Sequence, residues 1–283
     1  MNKNEILSQI CIQEKSKIIN DVWNDIHIDQ PELISQQSNP KAYVMGGQPG
    51  AGKSTSTNKL ETKYKNNILT IDLDAYRERH PNFKALYEKY GKDSAVYTHE
   101  FASEIKEEIL KRVIEAKYNI IVDGTLKNTN KAKKLIETLK NKGYQVDVLI
   151  HTCPKEVSWD SVNNRYENAL KAGRIPRYVP KHIHDKVVAV LPNNADELSK
   201  SSQIEKLSVY NREKQLFDSK VDKGLPSVVI QAEINKNDKQ LNKNNLTQPP
   251  NDPFSKALQT ATERLEQRST SNQKTRHQGM GRN

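Results

Sequence analysis

Short apolar runs alternate with amphipathic stretches along most of the chain. The runs have the length of buried β-strands. The stretches between them repeat apolar residues every three or four positions, which is typical of helices packed by one face. Predicted strands cover 42–45, 68–72, 118–122, 144–150 and 207–210, and predicted helices cover 4–30, 53–64, 99–116, 130–140, 155–172 and 180–191. This alternation predicts an α/β fold in which helices flank a parallel sheet.

Two regions lack such a pattern. Residues 76–97 are rich in tyrosine and are predicted to be irregular, and residues 235–251 are almost all Asn, Lys, Asp, Gln and Pro. A segment of that composition cannot bury enough apolar surface to order itself. We therefore expect an N-terminal helical extension at 1–34, a main domain at 35–218, and a polar, basic and partly disordered tail at 219–283 with one short helix at 253–265.

The first predicted strand runs directly into the sequence GGQPGAGKST. This sequence fits the phosphate-binding pattern G-x-x-x-x-G-K-[ST], in which glycines let backbone N–H groups converge on phosphate oxygens. Lys53 brings a positive charge to the β- and γ-phosphates, and Ser54 offers a hydroxyl to Mg²⁺. The residues predicted to surround the nucleotide are Gly47, Gln48, Pro49, Gly50, Ala51, Gly52, Lys53, Ser54 and Thr55. The main domain is therefore predicted to be a P-loop NTPase or kinase.

Acidic residues follow two of the predicted strands. Asp74 and Asp123 both lie where ligands bind in open parallel sheets, at the carboxyl ends of the strands. Asp74 suits either a base that accepts a hydroxyl proton or a helix cap, and the sequence does not choose between the two. Asp123 resembles the Walker-B acid and suits Mg²⁺ or substrate. Glu107 lies in an acidic helical cluster, where periodicity favours a solvated face.

A basic cluster surrounds a Gly/Pro-containing loop after the helix predicted at 155–172. It contains Arg165, Arg174 and Arg177. Arginine forks neutralise the charge that develops during phosphoryl transfer, although a solubilising helix end is the alternative. His182 and His184 have no third metal ligand nearby in sequence, so we expect lid or surface positions rather than a metal site.

Composition narrows the classes of protein further. The net charge is +10 and hydrophobic residues make up 34% of the chain, so part of it is expected to lie outside a core. Two distant cysteines, Cys11 and Cys153, suit a reduced, cytoplasmic setting. No apolar run reaches the roughly 18 residues of a membrane span, and the motifs of nucleic-acid-binding proteins are missing from the sequence.

Several motifs together resemble the zeta toxin family over about residues 40–215. They are the phosphate-binding loop, Ile71–Asp74, Arg79–Phe83, Val122–Thr125, Asn164–Glu167, Pro180–Asp185 and Leu207–Arg212. The resemblance implies a kinase that uses ATP and Mg²⁺ to phosphorylate a sugar hydroxyl of UDP-N-acetylglucosamine, which blocks cell-wall precursor synthesis. It also implies a small helical antitoxin as a partner.

The resemblance assigns roles to single residues. Lys53 and Ser54 match the phosphate-loop lysine and the Mg²⁺-binding hydroxyl, Asp74 matches the general base, and two arginines clamp the transferring phosphate. The matching arginines are Arg165 and Arg177, and the matching substrate contacts are Glu107, Asp123, Thr125 and Lys127. For Glu107 this replaces the solvated-face interpretation. Asp123 stands where the family has glutamate, and Lys127 stands where the family can carry arginine.

Two alternatives remain open from the sequence. One is a kinase with the same base and arginines that acts on another nucleotide-activated sugar or a nucleoside-like acceptor. The other is an NTP-hydrolysing switch. The products separate them, because a kinase transfers phosphate to the acceptor whereas a switch releases only ADP and phosphate.

Overall fold

Six strands form one sheet in the order β2-β3-β1-β4-β5-β6. The structure is a computed structural model that describes residues 10–28 and 34–236. The strands are β1 Lys41–Gly47, β2 Leu69–Ile71, β3 Ile120–Val122, β4 Gln145–His151, β5 Lys206–Tyr210 and β6 Gln215–Asp218. The first five pair in parallel, and β6 joins β5 antiparallel at the edge. The predicted α/β fold with a mostly parallel sheet is confirmed.

Helices connect the strands and cover both faces of the sheet. They are α1 Ile12–Ile28, α2 Lys53–Lys63, α3 Leu73–Arg77, α4 Phe83–Tyr90, α5 Ser94–Tyr97, α6 His99–Glu115, α7 Thr129–Asn141, α8 Lys155–Lys171, α9 Lys181–Ser199 and α10 Pro226–Ile234. No helix in residues 10–28 and 34–236 is long and apolar enough to cross a membrane.

The central strand β1 shows why the sheet is buried on both faces. Successive side chains of a strand point to opposite faces, so Ala42 and Val44 enter one apolar cluster while Tyr43 and Met45 enter another. Val44 lies opposite Val122 of β3 on one side and Val148 of β4 on the other. A continuous apolar run is what a central parallel strand requires.

Residues 76–97 are not irregular, as the sequence analysis expected, because most of them are helical. They hold the end of α3, then α4 and α5 with a short 3₁₀ turn at Gly91–Asp93 between them. Each helix is too short for its periodicity to be read from sequence, yet Leu86 of α4 is fully buried and Tyr76 of α3 is 8% exposed. Tertiary packing therefore stabilises helices that would be marginal in isolation.

Helix α9 also differs from its prediction, because it continues through Pro192 to Ser199 instead of ending near residue 191. A proline inside a helix costs about 3 kcal/mol. Beyond that proline, Ala195 and Leu198 are 1% and 0% exposed, and both join the main apolar cluster. Their burial offsets the backbone bond that the proline removes.

The folded unit extends past residue 218, where we expected the main domain to end. The described residues up to Lys236 belong to one compact unit. Within it, α10 packs against α9, β5 and β6, and its Ile230 and Ile234 are 0% and 6% exposed. Residues 219–236 thus complete the core. The helix predicted at 253–265 lies outside the described residues.

The described part of the predicted N-terminal extension packs on this unit. Val22 of α1 is buried in the main apolar cluster, with Ile18, Ile19, Trp23 and Ile26 packed against it, and α1 contacts α6. The one-faced helix expected from the apolar spacing is therefore present over Ile12–Ile28.

Candidate active site

The phosphate-binding loop links β1 to α2 and requires glycine at two of its positions. Gly47 and Gly50 have φ of 136° and 82°, a region that residues with a side chain rarely adopt. A Cβ atom would also lie 2.1 Å from the His151 carbonyl oxygen at Gly47, and 2.1 Å from the Ser158 carbonyl oxygen at Gly50. The loop therefore depends on glycine for conformation and for space.

The N-terminus of α2 faces the same loop. Its N-cap, Gly52, is left-handed (φ 93°), makes no side-chain capping bond, and the first turn holds no acidic residue. Lys53 is half-buried there, and Ser54 and Thr55 are exposed. Uncapped N–H groups and the positive end of the helix dipole suit a polyphosphate. These residues fit the predicted donor nucleotide.

Three predicted nucleotide-binding residues of the loop turn their side chains into the protein. Gln48 and Ala51 are 0% exposed, and Pro49 is buried as well. Gln48 Nε2 donates to the Cys153 carbonyl at 2.7 Å, and its Oε1 accepts from Thr152 Oγ1 at 3.2 Å. Since these side chains point away from the ligand, only their backbone groups face a phosphate. Sequence alone did not show this orientation.

Arg212 lies over the loop, although the sequence analysis gave it no role. It belongs to the turn between β5 and β6, and its Nη2 donates to the Gly50 carbonyl and to Ser161 Oγ, both at 2.6 Å. Its Cγ lies 3.5 Å from where a Cβ on Gly52 would stand. The sequence offered one signal for a role of Arg212, which is its position at the end of the family motif Leu207–Arg212. The β5–β6 turn thus covers the phosphate loop.

The end of β2 brings two aspartates and an arginine together. Asp72 Oδ1 accepts from the Asp74 backbone N–H at 3.0 Å and so caps α3, while Asp72 Oδ2 accepts from Arg177 Nη1 at 2.9 Å. Asp74 therefore does not cap α3. Capping was the alternative to the role of base in the sequence analysis. Its Oδ1 accepts from Arg77 Nε at 3.0 Å instead. The Asp72 carboxylate therefore connects the segment that carries Asp74, the predicted base, to Arg177, a predicted phosphate clamp.

Asp123 follows β3 and is largely buried. Burial, together with Asp72, raises the pKa of its carboxyl, and Lys53 and Lys106 oppose that shift. Within residues 10–28 and 34–236, its Oδ1 is a buried atom with no hydrogen-bond partner. A buried carboxylate oxygen left open beside Lys53 suits a ligand. Lysine and an open carboxylate thus stand together at the carboxyl edge of the sheet.

Lys106 is a further residue of this edge that the sequence analysis missed. Its Nζ donates to the Asp123 carbonyl at 3.0 Å, and burial lowers the pKa of its ammonium group while Asp123, Asp72 and Asp74 raise it. The signal was positional, because Lys106 lies four residues after the buried Ala102 and three before the buried Ile109. A lysine on the buried face of a helix needs a polar partner.

The remaining predicted substrate contacts are placed differently from one another. The Thr125 carbonyl accepts from the Gly47 N–H at 3.4 Å, so Thr125 adjoins the phosphate loop. Lys127 is exposed near His99. Glu107 is exposed and lines a groove of about 530 Å³ beside Lys111 of α6 and Lys131 of α7. The substrate role of Glu107 stays a prediction that this groove does not support.

The three arginines of the basic cluster line one cavity of about 1040 Å³. Its other lining residues are Glu78, Phe83, Ser161, Asn164, Asn168, Ala169 and Ile175. Ser161 is also bonded to Arg212, which contacts the phosphate loop. A second, smaller cavity shares Arg177 with the first and is lined by Asp74. The arginine-lined cavity is therefore linked through Ser161 and Arg212 to the phosphate loop, and through the shared Arg177 to the cavity that the predicted base lines.

The prediction for one histidine was wrong. His182 is exposed, as expected, but His184 is 0% exposed. Its Nε2 lies 2.8 Å from Ser158 Oγ, and its ring packs 5.4 Å from that of Trp159. Contacts between α8 and α9 bury it. The available signal was its helical spacing of three, four and seven residues from the apolar Val187, Val188 and Leu191.

The described residues also bear on the predicted Mg²⁺. No group of three or more His, Cys, Asp or Glu side chains in residues 10–28 and 34–236 could hold a metal ion alone. Mg²⁺ in phosphate-loop proteins is held by the loop hydroxyl, water and the nucleotide phosphates, so a single Ser54 hydroxyl fits that mode of binding.

Comparisons with known proteins place this fold and site in a family. The model of the zeta toxin family matches residues 24–222. Toxin PezT from Streptococcus pneumoniae serotype 4 (strain ATCC BAA-334 / TIGR4) is 34% identical over 194 residues, covering 68% of this chain and 77% of that protein. Toxin zeta from Streptococcus pyogenes is 29% identical over 219 residues, covering 75% and 76% respectively.

Solved structures agree with the sequence comparisons. A structure from the PezAT chromosomal toxin–antitoxin system of Streptococcus pneumoniae is similar with a TM-score of 0.70 at 28% identity, covering 81% of this chain and 89% of that one. The AvrRxo1-ORF1:AvrRxo1-ORF2 structure with ATP has a TM-score of 0.54 at 15% identity over 82% of this chain and 72% of that chain, which shows the fold alone.

The parallel sheet and its glycine loop define a P-loop protein of the nucleotide-binding α/β class. Within that class, the chain belongs to the zeta toxin family.

Proposed function

We propose that the chain is an ATP-dependent kinase that phosphorylates a hydroxyl of UDP-N-acetylglucosamine and so acts as a toxin on cell-wall precursor synthesis. One observation carries the proposal. The Asp72 carboxylate joins the Asp74 backbone to Arg177, which supports a proposed base and a proposed phosphate clamp acting in one site. A hydrolytic switch does not need a base aimed at an acceptor hydroxyl.

The donor end is assigned to the phosphate loop. Backbone N–H groups of the loop and Lys53 bind the β- and γ-phosphates, and Ser54 offers its hydroxyl to Mg²⁺. When bound, Mg²⁺ neutralises charge on the phosphate oxygens. Arg165 and Arg177 then stabilise the charge that spreads over the transferring group, because a guanidinium spans two oxygens at once.

The acceptor end is assigned to the carboxyl edges of β2 and β3 and to the arginine-lined cavity. Asp74 accepts the proton of the sugar hydroxyl, and Asp123, Thr125, Lys127 and Glu107 are the proposed substrate contacts. The cavity of about 1040 Å³ is large enough for a sugar nucleotide, and its arginines suit a diphosphate. Glu107 is the weakest of these assignments because its side chain lines a separate groove.

We further propose a small helical antitoxin as the partner and the cytoplasm as the place of action. Support for the antitoxin comes from a similar structure that belongs to a toxin–antitoxin system. The two cysteines, Cys11 and Cys153, are both free, which agrees with a reducing compartment.

Product analysis tests the activity. The protein is incubated with γ-labelled ATP, Mg²⁺ and UDP-N-acetylglucosamine, and the products are separated by chromatography. We expect label on the sugar nucleotide and none there with Lys53→Ala. Label appearing only as inorganic phosphate would support the hydrolytic switch, and transfer only to other nucleotide-activated sugars or nucleosides would change the acceptor while keeping the kinase.

A further inference from the structure

Three fully buried polar side chains connect the phosphate loop to α9. Gln48, Ser158 and His184 are each 0% exposed. Gln48 Nε2 donates to Ser158 Oγ at 3.3 Å, and Ser158 Oγ lies 2.8 Å from His184 Nε2. His184 Nδ1 lies 3.3 Å from Asp185 Oδ1. We call these four residues the loop brace.

The positions of the hydrogens follow from the chemistry of the partners. The Asp185 carboxylate only accepts hydrogen bonds, so His184 Nδ1 carries a hydrogen. Burial lowers the pKa of His184 and favours the neutral ring. Ser158 has one hydroxyl hydrogen, which lies between two acceptors, the Lys155 carbonyl at 2.7 Å and His184 Nε2 at 2.8 Å, and is shared by them. Lys181 and Lys155 also contact Asp185, at 3.0 and 3.3 Å, and hold that end in place.

Serine, histidine and aspartate in this order resemble a hydrolase triad, but the surroundings exclude a nucleophile. Ser158 is fully buried, and its Oγ is occupied by Gln48, His184 and the Lys155 carbonyl. A nucleophile must reach its substrate. The arrangement is therefore suited to holding a neighbour in place.

That neighbour is the phosphate loop, which meets Ser158 twice. Besides the bond from the Gln48 side chain, the Gly50 backbone packs so closely on the Ser158 carbonyl that a Cβ would lie 2.1 Å from it. The first turn of α8 therefore packs against the phosphate loop through Ser158, and His184 of α9 holds that turn in place.

We propose that Ser158 and His184 are positioning residues that fix the phosphate loop, through Gln48, in the shape that binds the donor triphosphate. This inference rests on the proposed use of ATP. Loss of Ser158 leaves a Gln48 N–H and His184 Nε2 without this buried partner, and loss of His184 removes the 2.8 Å contact that holds Ser158, so the loop then relaxes away from that shape. The expected result is weaker ATP binding, by about tenfold or more, rather than a slower chemical step.

The test measures binding of the fluorescent analogue mant-ATP with Mg²⁺ to the full chain, without acceptor. The variants are Ser158→Ala, His184→Phe and His184→Gln, and thermal unfolding of each is recorded in parallel. His182→Ala is the matched control, because His182 is exposed on the same helix two residues away. We expect Ser158→Ala and His184→Phe to raise Kd about tenfold or more, and His184→Gln to recover part of the loss, since its amide still offers Ser158 a hydrogen-bonding group. The control should bind as the wild type does.

Steady-state kinetics of phosphate transfer supply a second measurement. A general loss of stability would not produce the pattern that the brace predicts. In the brace variants KM for ATP should rise while KM for the acceptor stays constant and kcat falls less than KM rises. Wild-type affinity in folded Ser158→Ala and His184→Phe proteins would overturn the brace, and so would an equal loss in His182→Ala. If His184→Phe does not fold, Ser158→Ala decides alone. If the wild type itself fails to bind mant-ATP, the proposed function falls and the brace with it.

Discussion

The two ends of the candidate site are built in opposite ways. At the donor end, fully buried hydrogen bonds between uncharged side chains hold the inner side of the phosphate loop, as Gln48 and Ser158 show, while Arg212 contacts the loop from its exposed side. At the acceptor end, partly exposed ion pairs hold the catalytic candidates, and the Arg177 and Asp72 side chains are 40% and 25% exposed. Buried networks fix a conformation, whereas exposed ion pairs contribute about 0–1 kcal/mol and exchange partners readily.

This difference matches the demands of phosphoryl transfer. The triphosphate binds a cradle whose shape must exist before it arrives, because backbone N–H groups cannot be aimed cheaply afterwards. In the proposed mechanism, the arginines must leave a resting partner for the charge that develops during transfer. Asp72 is such a partner for Arg177. The predictions below test whether the two ends are separable, from the largest expected effect to the smallest.

Replacing either clamp arginine with alanine should impair phosphate transfer at the acceptor end and leave ATP binding at the donor end nearly unchanged. Arg165→Ala and Arg177→Ala should each lower kcat by about 10³–10⁵, roughly 4–7 kcal/mol, with a much smaller rise in KM for ATP. Stability should change by about 1 kcal/mol or less, because the Arg177 pair is exposed. Steady-state kinetics with varied ATP measures the split.

Arg174→Ala is the control for that experiment, since Arg174 lines the same cavity but is not one of the two proposed clamp arginines. Its effect should be smaller. A rise in KM without a fall in kcat would show that the pair anchors nucleotide, and a greater loss at Arg174 than at Arg177 would reassign the clamp.

Asp74→Asn removes the proposed proton acceptor while keeping size and polarity. Turnover should fall by roughly 10²–10⁴, and mant-ATP binding should persist because the phosphate loop is untouched. The Arg77 contact is weakened but retained by the amide oxygen, so the fold should survive. Near-normal turnover in this variant would remove Asp74 from the role of base.

Truncation of the chain tests how much α10 contributes to the stability of the domain that carries both ends of the site. Ending the chain after Asp218 removes α10, with Ile230 and Ile234, whose burial is worth roughly 3–6 kcal/mol together. That is a large share of the roughly 5–15 kcal/mol that stabilises a typical domain, so thermal unfolding should shift strongly downward. Ending the chain after Lys236 should leave unfolding and phosphate transfer unchanged. Equal stability of the two truncated proteins would contradict the role of α10 in the core.

Asp123→Asn should raise the stability of the protein while lowering its turnover, and the change in stability should be the smallest effect of this series. Burial raises the pKa of Asp123, so the folded state holds its proton more tightly than the unfolded state, whose carboxyl titrates near 4. The stability this group contributes is complete below about pH 4 and is lost as the pH rises through the folded-state pKa.

Because asparagine is neutral at every pH, the variant should gain about 1 kcal/mol over the wild type at pH 8 and little at pH 4, while turnover falls. Thermal unfolding at the two pH values measures this, and an equal change at both would show that ionisation of Asp123 does not set it. A stabilised but less active protein is what a carboxylate kept for a ligand predicts.

Much of the fold and part of the site followed from local patterns. Apolar runs fixed the five parallel strands to within a few residues, and the glycine and lysine spacing located the phosphate loop. Strand ends also placed Asp74 and Asp123 at one edge of the sheet. These features depend on residues close together in the chain, so the sequence carries them directly.

The tertiary structure decided which polar side chains are buried and what they contact. Gln48 and Ser158 are 110 residues apart in the chain, and Ser158 and His184 are 26 apart. Helical spacing places His184 on the same face as the apolar Val187, Val188 and Leu191, but it does not show that Ser158 of another helix is its partner. Burial, the open oxygen of Asp123 and the contact of Arg212 with the phosphate loop all arise where distant elements pack. A local pattern fixes the period of a helix or strand, but the environment of a side chain is set by whichever element covers it.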